Sequence, residues 1–140
     1  MVGMSSDARA SGGLPTISVQ DAEKALREGT HRLLDVRTPA EFRVGHIEHA
    51  INIPFFLPDD DGNPCKENHM FLETAFKFFP NKSHPIIATC MSMSRVKLAA
   101  AELAKGNYDG VKILEGGMRA WHDSGRYMIQ ESRLQALSKP

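Results

Sequence analysis

Short apolar runs alternate with stretches of helical spacing along most of this chain. Thr16-Ile17-Ser18 reads as a short strand. Val19, Ala22, Ala25 and Leu26 recur at helical intervals behind Ser18 and Asp21, which resemble a capping box with Asp in place of Glu. This predicts a helix over 19–28 closed by Gly29. Arg32 to Val36 is an apolar strand carrying an acid, Asp35, near its end. Thr38-Pro39-Ala40-Glu41 is a strong helix start, with an N-cap, a proline at the first helical position and a capping-box glutamate; that helix stops at Gly45. Ala50 to Pro54 is a third strand, and residues 55–67, with three consecutive aspartates, read as a long loop. Met70, Phe71, Ala75, Phe78 and Phe79 give the next helix an apolar face. Pro85 to Thr89 is a strand, 94–105 a helix ending at Gly106-Asn107, and Val111 to Leu114 a further strand. Glu115-Gly116-Gly117 turns into a helix bearing Met118, Ala120 and Trp121, which Gly125 ends.

The strands are short and apolar on both faces, so both faces are covered. An α/β domain follows, with roughly five parallel strands between helices. In such sheets ligands bind at the C-terminal ends of the strands. Cys90 stands at one such end, Asp35 to Arg37 at another and Glu115 to Gly117 at a third.

Cys90 changes the picture most. It closes an apolar run, four small or flexible residues separate it from Arg95, and a helix rich in alanine and leucine begins at once. Strand, tight loop and helix aim backbone N–H groups and a helix N-terminus at one point. A thiol there is expected to be unusually acidic, with an anion bound beside it.

Composition narrows the partners. The chain has 140 residues, 41% apolar and 24% charged, enough for one globular core. Lys+Arg and Asp+Glu are both 17, so no bulk charge grips nucleic acid or an anionic membrane, and neither is expected as a partner. No apolar run approaches the ~20 residues that span a bilayer. Residues 1–15 read as a flexible leader or an expression remnant, 16–128 as the domain and 129–140 as a C-terminal tail with weak helical spacing at Leu134 and Leu137. Two cysteines, Cys65 and Cys90, make no disulfide framework. The expected compartment is the cytoplasm or an organelle matrix, the cytoplasm preferred. The six histidines show no metal-ligand spacing, and Asp59-Asp60-Asp61-Gly62 lacks the rest of an EF-hand loop, so no metal and no cofactor are expected.

Three segments together resemble the rhodanese family of single-domain sulfurtransferases. The first runs from Leu33-Leu34-Asp35-Val36-Arg37 through Glu41-Phe42 and Gly45-His46-Ile47 to Ala50-Ile51-Asn52-Ile53-Pro54; the second is Ile86 to Leu103; the third is Leu114-Glu115-Gly116-Gly117-Met118-Arg119-Ala120-Trp121. The acidic loop at 58–63 and Phe71-Leu72 look closest to the plant-type members. The resemblance implies a three-layer α/β/α domain with a five-stranded parallel sheet. It implies that Cys90 carries sulfane sulfur as a persulfide, and that the loop Met91, Ser92, Met93, Ser94 and Arg95 holds the anionic sulfur and the donor. A donor such as thiosulfate and an acceptor such as cyanide, a small thiol or a protein thiol then follow. Ser92 and Ser94 can bond the anion with their hydroxyls, or Ser94 can simply cap the helix. Asp35 and Arg37 support the site, more as a buried scaffold than as groups tuning Cys90.

One position departs from the family. Met93 stands where the loop usually carries glycine, so either the loop is reshaped or it bears left-handed strain of ~1–2 kcal/mol. Met91 and Met93 would form an apolar rim suited to a thiol or protein acceptor. Two other readings compete. Phosphatases and arsenate reductases on the same fold place five residues between cysteine and arginine, against four here. Some rhodanese-like domains are interaction modules with little or no catalysis.

Overall fold

The computed structural model of the chain describes residues 13–130. The outer parts of the expected leader and tail, 1–12 and 131–140, with Leu134 and Leu137, lie outside the described residues. Five strands form one parallel sheet: β1 (Thr16–Ile17), β2 (Arg32–Asp35), β3 (Ile51–Asn52), β6 (Ile86–Thr89) and β7 (Val111–Leu114), in the order β1-β7-β6-β2-β3. Parallel neighbours need crossovers, and five helices supply or follow them: α1 (Val19–Glu28), α2 (Pro39–Val44), α3 (Phe71–Phe78), α4 (Ser94–Lys105) and α5 (Gly117–Asp123).

Side-chain alternation along the strands divides the interior into two layers. Leu34, Ile86, Ala88 and Ile113 face one cluster, which takes Phe71 and Ala75 from α3 and Val96, Ala99, Ala100 and Leu103 from α4. Leu33, Ile87 and Leu114 face the other, filled by Val19, Ala22 and Ala25 from α1 and Met118 and Trp121 from α5. The fold is therefore the expected three-layer α/β/α sandwich.

Local signals set the helix ends as the sequence indicates. Ser18 Oγ accepts from Asp21 N at 3.1 Å, and Gly29 closes α1 in the left-handed conformation at φ 76°. The Thr38–Glu41 capping box is complete at the start of α2.

Residues 55–67 correct the loop expectation. They contain an antiparallel hairpin, β4 (Phe56–Pro58) and β5 (Pro64–Glu67). Its turn is built by Asp59, whose carboxylate accepts from Asp61 N and Asn63 N at 2.9 Å each, and by Gly62 at φ 87°. Prolines at both strands and a fully exposed β5 erase the alternation by which strands are recognised.

The segment after α5 does not stray. Ile129 pairs with His46 as an isolated antiparallel bridge, with Ile129 N donating to His46 O at 2.7 Å and His46 N to Ile129 O at 2.9 Å. At the other end, Leu14 packs on the first cluster and Pro15 O accepts from Ile113 N.

Candidate active site

The site lies where β2, β6 and β7 end together. Asp35 is in register with Thr89, and Val36 N donates to Thr89 O at 2.9 Å, so the chain after β2 runs beside Cys90. Cys90 is only 1% exposed. Its sulfur faces the backbone N–H groups of Ser92, Arg95 and Val96. The first intrahelical bond of α4 runs from Lys97 N to Met93 O, so these amides at the helix start are available to an anion. Of the expected loop amides, those of Ser92 and Arg95 face the sulfur, and Val96, one residue beyond the loop, joins them.

The expected acidity is absent. Burial pushes the Cys90 thiol above its ordinary value of 9.0, against the pull of the Val96 amide, the Arg95 charge and the Arg95 and Ser92 amides. A thiolate this deep loses more hydration than those donors return. Sequence shows the donors but not the depth.

Met93 resolves the family departure. Its φ of −141° and ψ of −17° lie outside the left-handed region, so the loop is shaped to carry a side chain there without that strain. The Met93 side chain is partly buried against the first core cluster rather than standing with Met91 at a rim. Ser94 is the first residue of α4, and the N-cap, Met93, makes no side-chain capping bond. Ser94 is thus not the cap.

Arg95 reaches back across the site. Its Nη1 and Nη2 donate to the two carboxylate oxygens of Glu41 at 2.6 and 2.9 Å. The same Glu41 Oε1 accepts from Thr38 N and Thr38 Oγ1 at 3.0 Å each. One carboxylate therefore caps α2 and anchors the end of the cysteine loop. Burial alone would push Glu41 up; the Arg95 bonds and charge with the Thr38 bonds bring it down to about 2. The sequence reading finds Glu41 only as a helix cap, because a partner 54 positions away leaves no local signal.

Asp35 and Arg37 form the expected buried scaffold. Arg37 Nη2 donates to Asp35 Oδ2 at 2.7 Å and to Gly45 O at 2.7 Å, while its Nε bonds both Asp35 oxygens. Asn52 joins them by donating to Asp35 O and Arg37 O. Bidentate pairing of this kind adds geometric specificity to the bond energy and so fixes the loop.

The third strand end holds the loop from outside. Met118 N donates to Cys90 O at 2.8 Å and Arg119 N to Met91 O at 3.0 Å. This approach needs Gly117, whose φ is 63°; a Cβ there would stand 2.2 Å from Ser92 O and 2.6 Å from Cys90 O. Sequence marks the two glycines as a turn, and the structure shows the loop they must clear.

The family model of the rhodanese-like domain matches residues 18–124, which include every element of the site. The chain belongs to the rhodanese-like domain family. Thiosulfate sulfurtransferase 16, chloroplastic, of Arabidopsis thaliana is 39% identical over 110 residues, covering 79% of this chain and 88% of the relative. The Arabidopsis protein HIGH ARSENIC CONTENT 1, mitochondrial, is 37% identical over 110 residues; the match covers 79% of this chain and 63% of that protein. Among solved structures, the rhodanese-like domain of an Anabaena protein superposes with a TM-score of 0.67 at 24% identity, covering 85% of this chain and 83% of that one. A thiosulfate sulfurtransferase of Pseudomonas aeruginosa gives 0.70 at 17% identity, covering 89% and 22%. These two structural likenesses establish the fold.

Beside the loop, this rhodanese-like domain has a cavity of about 510 Å³. Met91, Met118, Met128 and Val44 supply apolar walls, and Arg37, Glu41, Arg119, His122, Asp123 and Gln130 supply the polar ones. Cys65, the second thiol, is exposed on β5 and is not among the cavity residues. Among the described residues no three histidine, cysteine or acidic side chains are grouped to hold a metal, and no helix is long and apolar enough to cross a membrane.

Proposed function

We propose that this rhodanese-like domain moves sulfane sulfur from a donor such as thiosulfate to a thiol or cyanide through a persulfide on Cys90. The observation that carries the reading is the cradle of amides from Ser92, Arg95 and Val96 around the Cys90 sulfur. The Cys90 thiolate attacks the outer sulfur of thiosulfate; the donor S–S bond breaks and sulfite leaves with its electron pair. The persulfide anion left on Cys90 is held by the helix start. An acceptor nucleophile then takes the outer sulfur, and Cys90 departs as thiolate. Covalent catalysis in two half-reactions predicts ping-pong kinetics, and the cycle as written uses only the chain and its two substrates. A protein thiol is a further acceptor to include. The loop, with four residues between Cys90 and Arg95, suits one sulfur atom better than a tetrahedral oxyanion. We place the activity in the cytoplasm or in an organelle matrix, such as those that the relatives' names specify.

A second reading, a weakly catalytic interaction module, draws support from the burial of Cys90 and its raised thiol. Intact-mass spectrometry after incubation with thiosulfate separates the two. Wild type is expected to gain the mass of one sulfur atom and Cys90→Ala none. No gain in wild type sinks the sulfurtransferase reading. Because one relative is named for arsenic content, arsenate belongs in the same substrate panel.

A further inference from the structure

Cys90 is closed off, and the large cavity beside its loop does not open onto it. That cavity is walled by Met118 and Met128, which pack in the layer of α1 and α5, and neither Cys90 nor Met93 is among its walls. The Cys90 side chain belongs to the opposite layer, with Val36, Phe55 and Val96, and is 1% exposed. Chemistry at a side chain this closed needs a piece of the loop to move.

The loop backbone is pinned. Met118 N holds Cys90 O, Arg119 N holds Met91 O and Lys97 N holds Met93 O. Arg95 ties the far end of the loop to Glu41 through two bonds. Ser92 O lies so close to Gly117 that a Cβ there would stand 2.2 Å away. Side chains are left to do the moving. Ser92 and Ser94 are exposed, and Met91 walls the cavity of the other layer. Of the four spacer residues, Met93 is the one packed on the cluster that holds Cys90, and it is only partly buried there. Methionine is unbranched and has three rotatable bonds, so its side chain can leave a packed position without help from the backbone.

We propose that the Met93 side chain is a gate over Cys90: packed inward it shields the sulfur, and swung outward it admits the reactant. The proposal rests on the reading of Cys90 as the sulfur carrier, and it makes Met93 a positioning residue that controls access and hydration. Truncating the side chain lets water reach the sulfur and so relieves the burial that raises the thiol. Shielding depends on volume, so an apolar side chain of similar size keeps the gate.

Alkylation by iodoacetamide reads the gate without any sulfur donor. In a Cys65→Ser background only Cys90 reacts, because the chain has two cysteines and both are free. Met93→Ala is expected to move the pH of half-maximal alkylation down by about one unit, which is about tenfold more thiolate at neutral pH. Met93→Leu is expected to follow the profile of the parent. Arg95, whose charge bears on Cys90, and Glu41 and Asp35, which act on Arg95, are the same in every variant, so a shifted profile reports hydration and not a changed charge. An unchanged profile in Met93→Ala overturns the proposal. So does an equal shift in Met93→Leu, or a shift in Met91→Ala as large as that in Met93→Ala. Urea separates the gate from a loosened fold. Reaction through global unfolding climbs with denaturant along the unfolding slope, whereas an open gate leaves the rate flat at low urea. A Met93→Ala rate that climbs along that slope overturns the proposal. Because no donor is used, failure here leaves the persulfide reading standing, and a failed sulfur-loading test leaves the gate standing.

Discussion

Glu41 sets the residue-scale behaviour of this site, because one carboxylate is shared between a helix cap and the loop arginine. Its folded carboxyl titrates at about 2 against an ordinary 4.5. A depressed acid stabilises the fold fully above its unfolded value, and this contribution drains away as pH falls from 4.5 toward 2. With its side chain 26% exposed, solvent screening reduces the effect to on the order of 1–2 kcal/mol. Urea unfolding of Glu41→Gln should therefore show lower stability at neutral pH and a shallower acid slope than wild type. Parallel slopes would mean that Glu41 does not couple to folding. The Cys90 thiol gives the opposite sign in chemistry. Raised above 9.0 by burial, it supplies more thiolate as pH climbs. Single-turnover sulfur loading should rise about tenfold per pH unit from about pH 7 to 9, following the thiolate fraction. A plateau below about pH 8 would show that the thiol is acidic after all.

At the scale of elements, the decisive contact is between the turn entering α5 and the cysteine loop. Gly117 and Gly29 both sit at positive φ, but nothing lies within 4 Å of a Cβ at Gly29, whereas three loop carbonyls lie within 2.9 Å of one at Gly117. Gly29→Ala therefore meets only left-handed strain, ~1–2 kcal/mol. Gly117→Ala adds a collision with backbone that cannot swing aside, and should cost about 3 kcal/mol or more or displace the loop. Thermal unfolding and Cys90 loading together read both routes. Equal losses at the two glycines would remove α5 from the support of the site. The contrast also marks the reach of sequence reasoning. Strand, loop and helix around Cys90 are legible because their apolar runs, spacer and caps are local. The hairpin at 56–67 is hidden by its prolines and its exposure, and the crowding at Gly117 depends on a loop two elements earlier.

For the whole molecule, the parallel sheet, the helices on both its faces and the family follow from signals spread along 16–128, and the buried Asp35–Arg37 scaffold follows from the best-matched segment; the order of the strands does not. What sequence does not supply is closure: which distant groups pair across the strand ends. Glu41 with Arg95 is one such pair, and the segment after α5 is another. That segment ties three elements together. Trp121 Nε1 donates to Tyr127 O at 3.1 Å, Arg126 Nε donates to Glu23 Oε1 on α1 at 3.1 Å, and Ile129 exchanges two backbone bonds with His46 beyond α2. Met128 and Gln130 from the same segment wall the cavity. If these ties hold the molecule closed, removing one donor should be felt at Trp121, which is 4% exposed. Ile129→Pro deletes the N–H that bonds His46 O while keeping the extended backbone that a bridge requires. We expect a loss of about 1–2 kcal/mol, the scale of one bond lost with its carbonyl left unpaired. We also expect a red shift in tryptophan emission, a clean reporter because the chain has one tryptophan. Unchanged stability and emission would mean that the bridge follows the packing of α5 rather than securing it, and that the cavity wall stands without it.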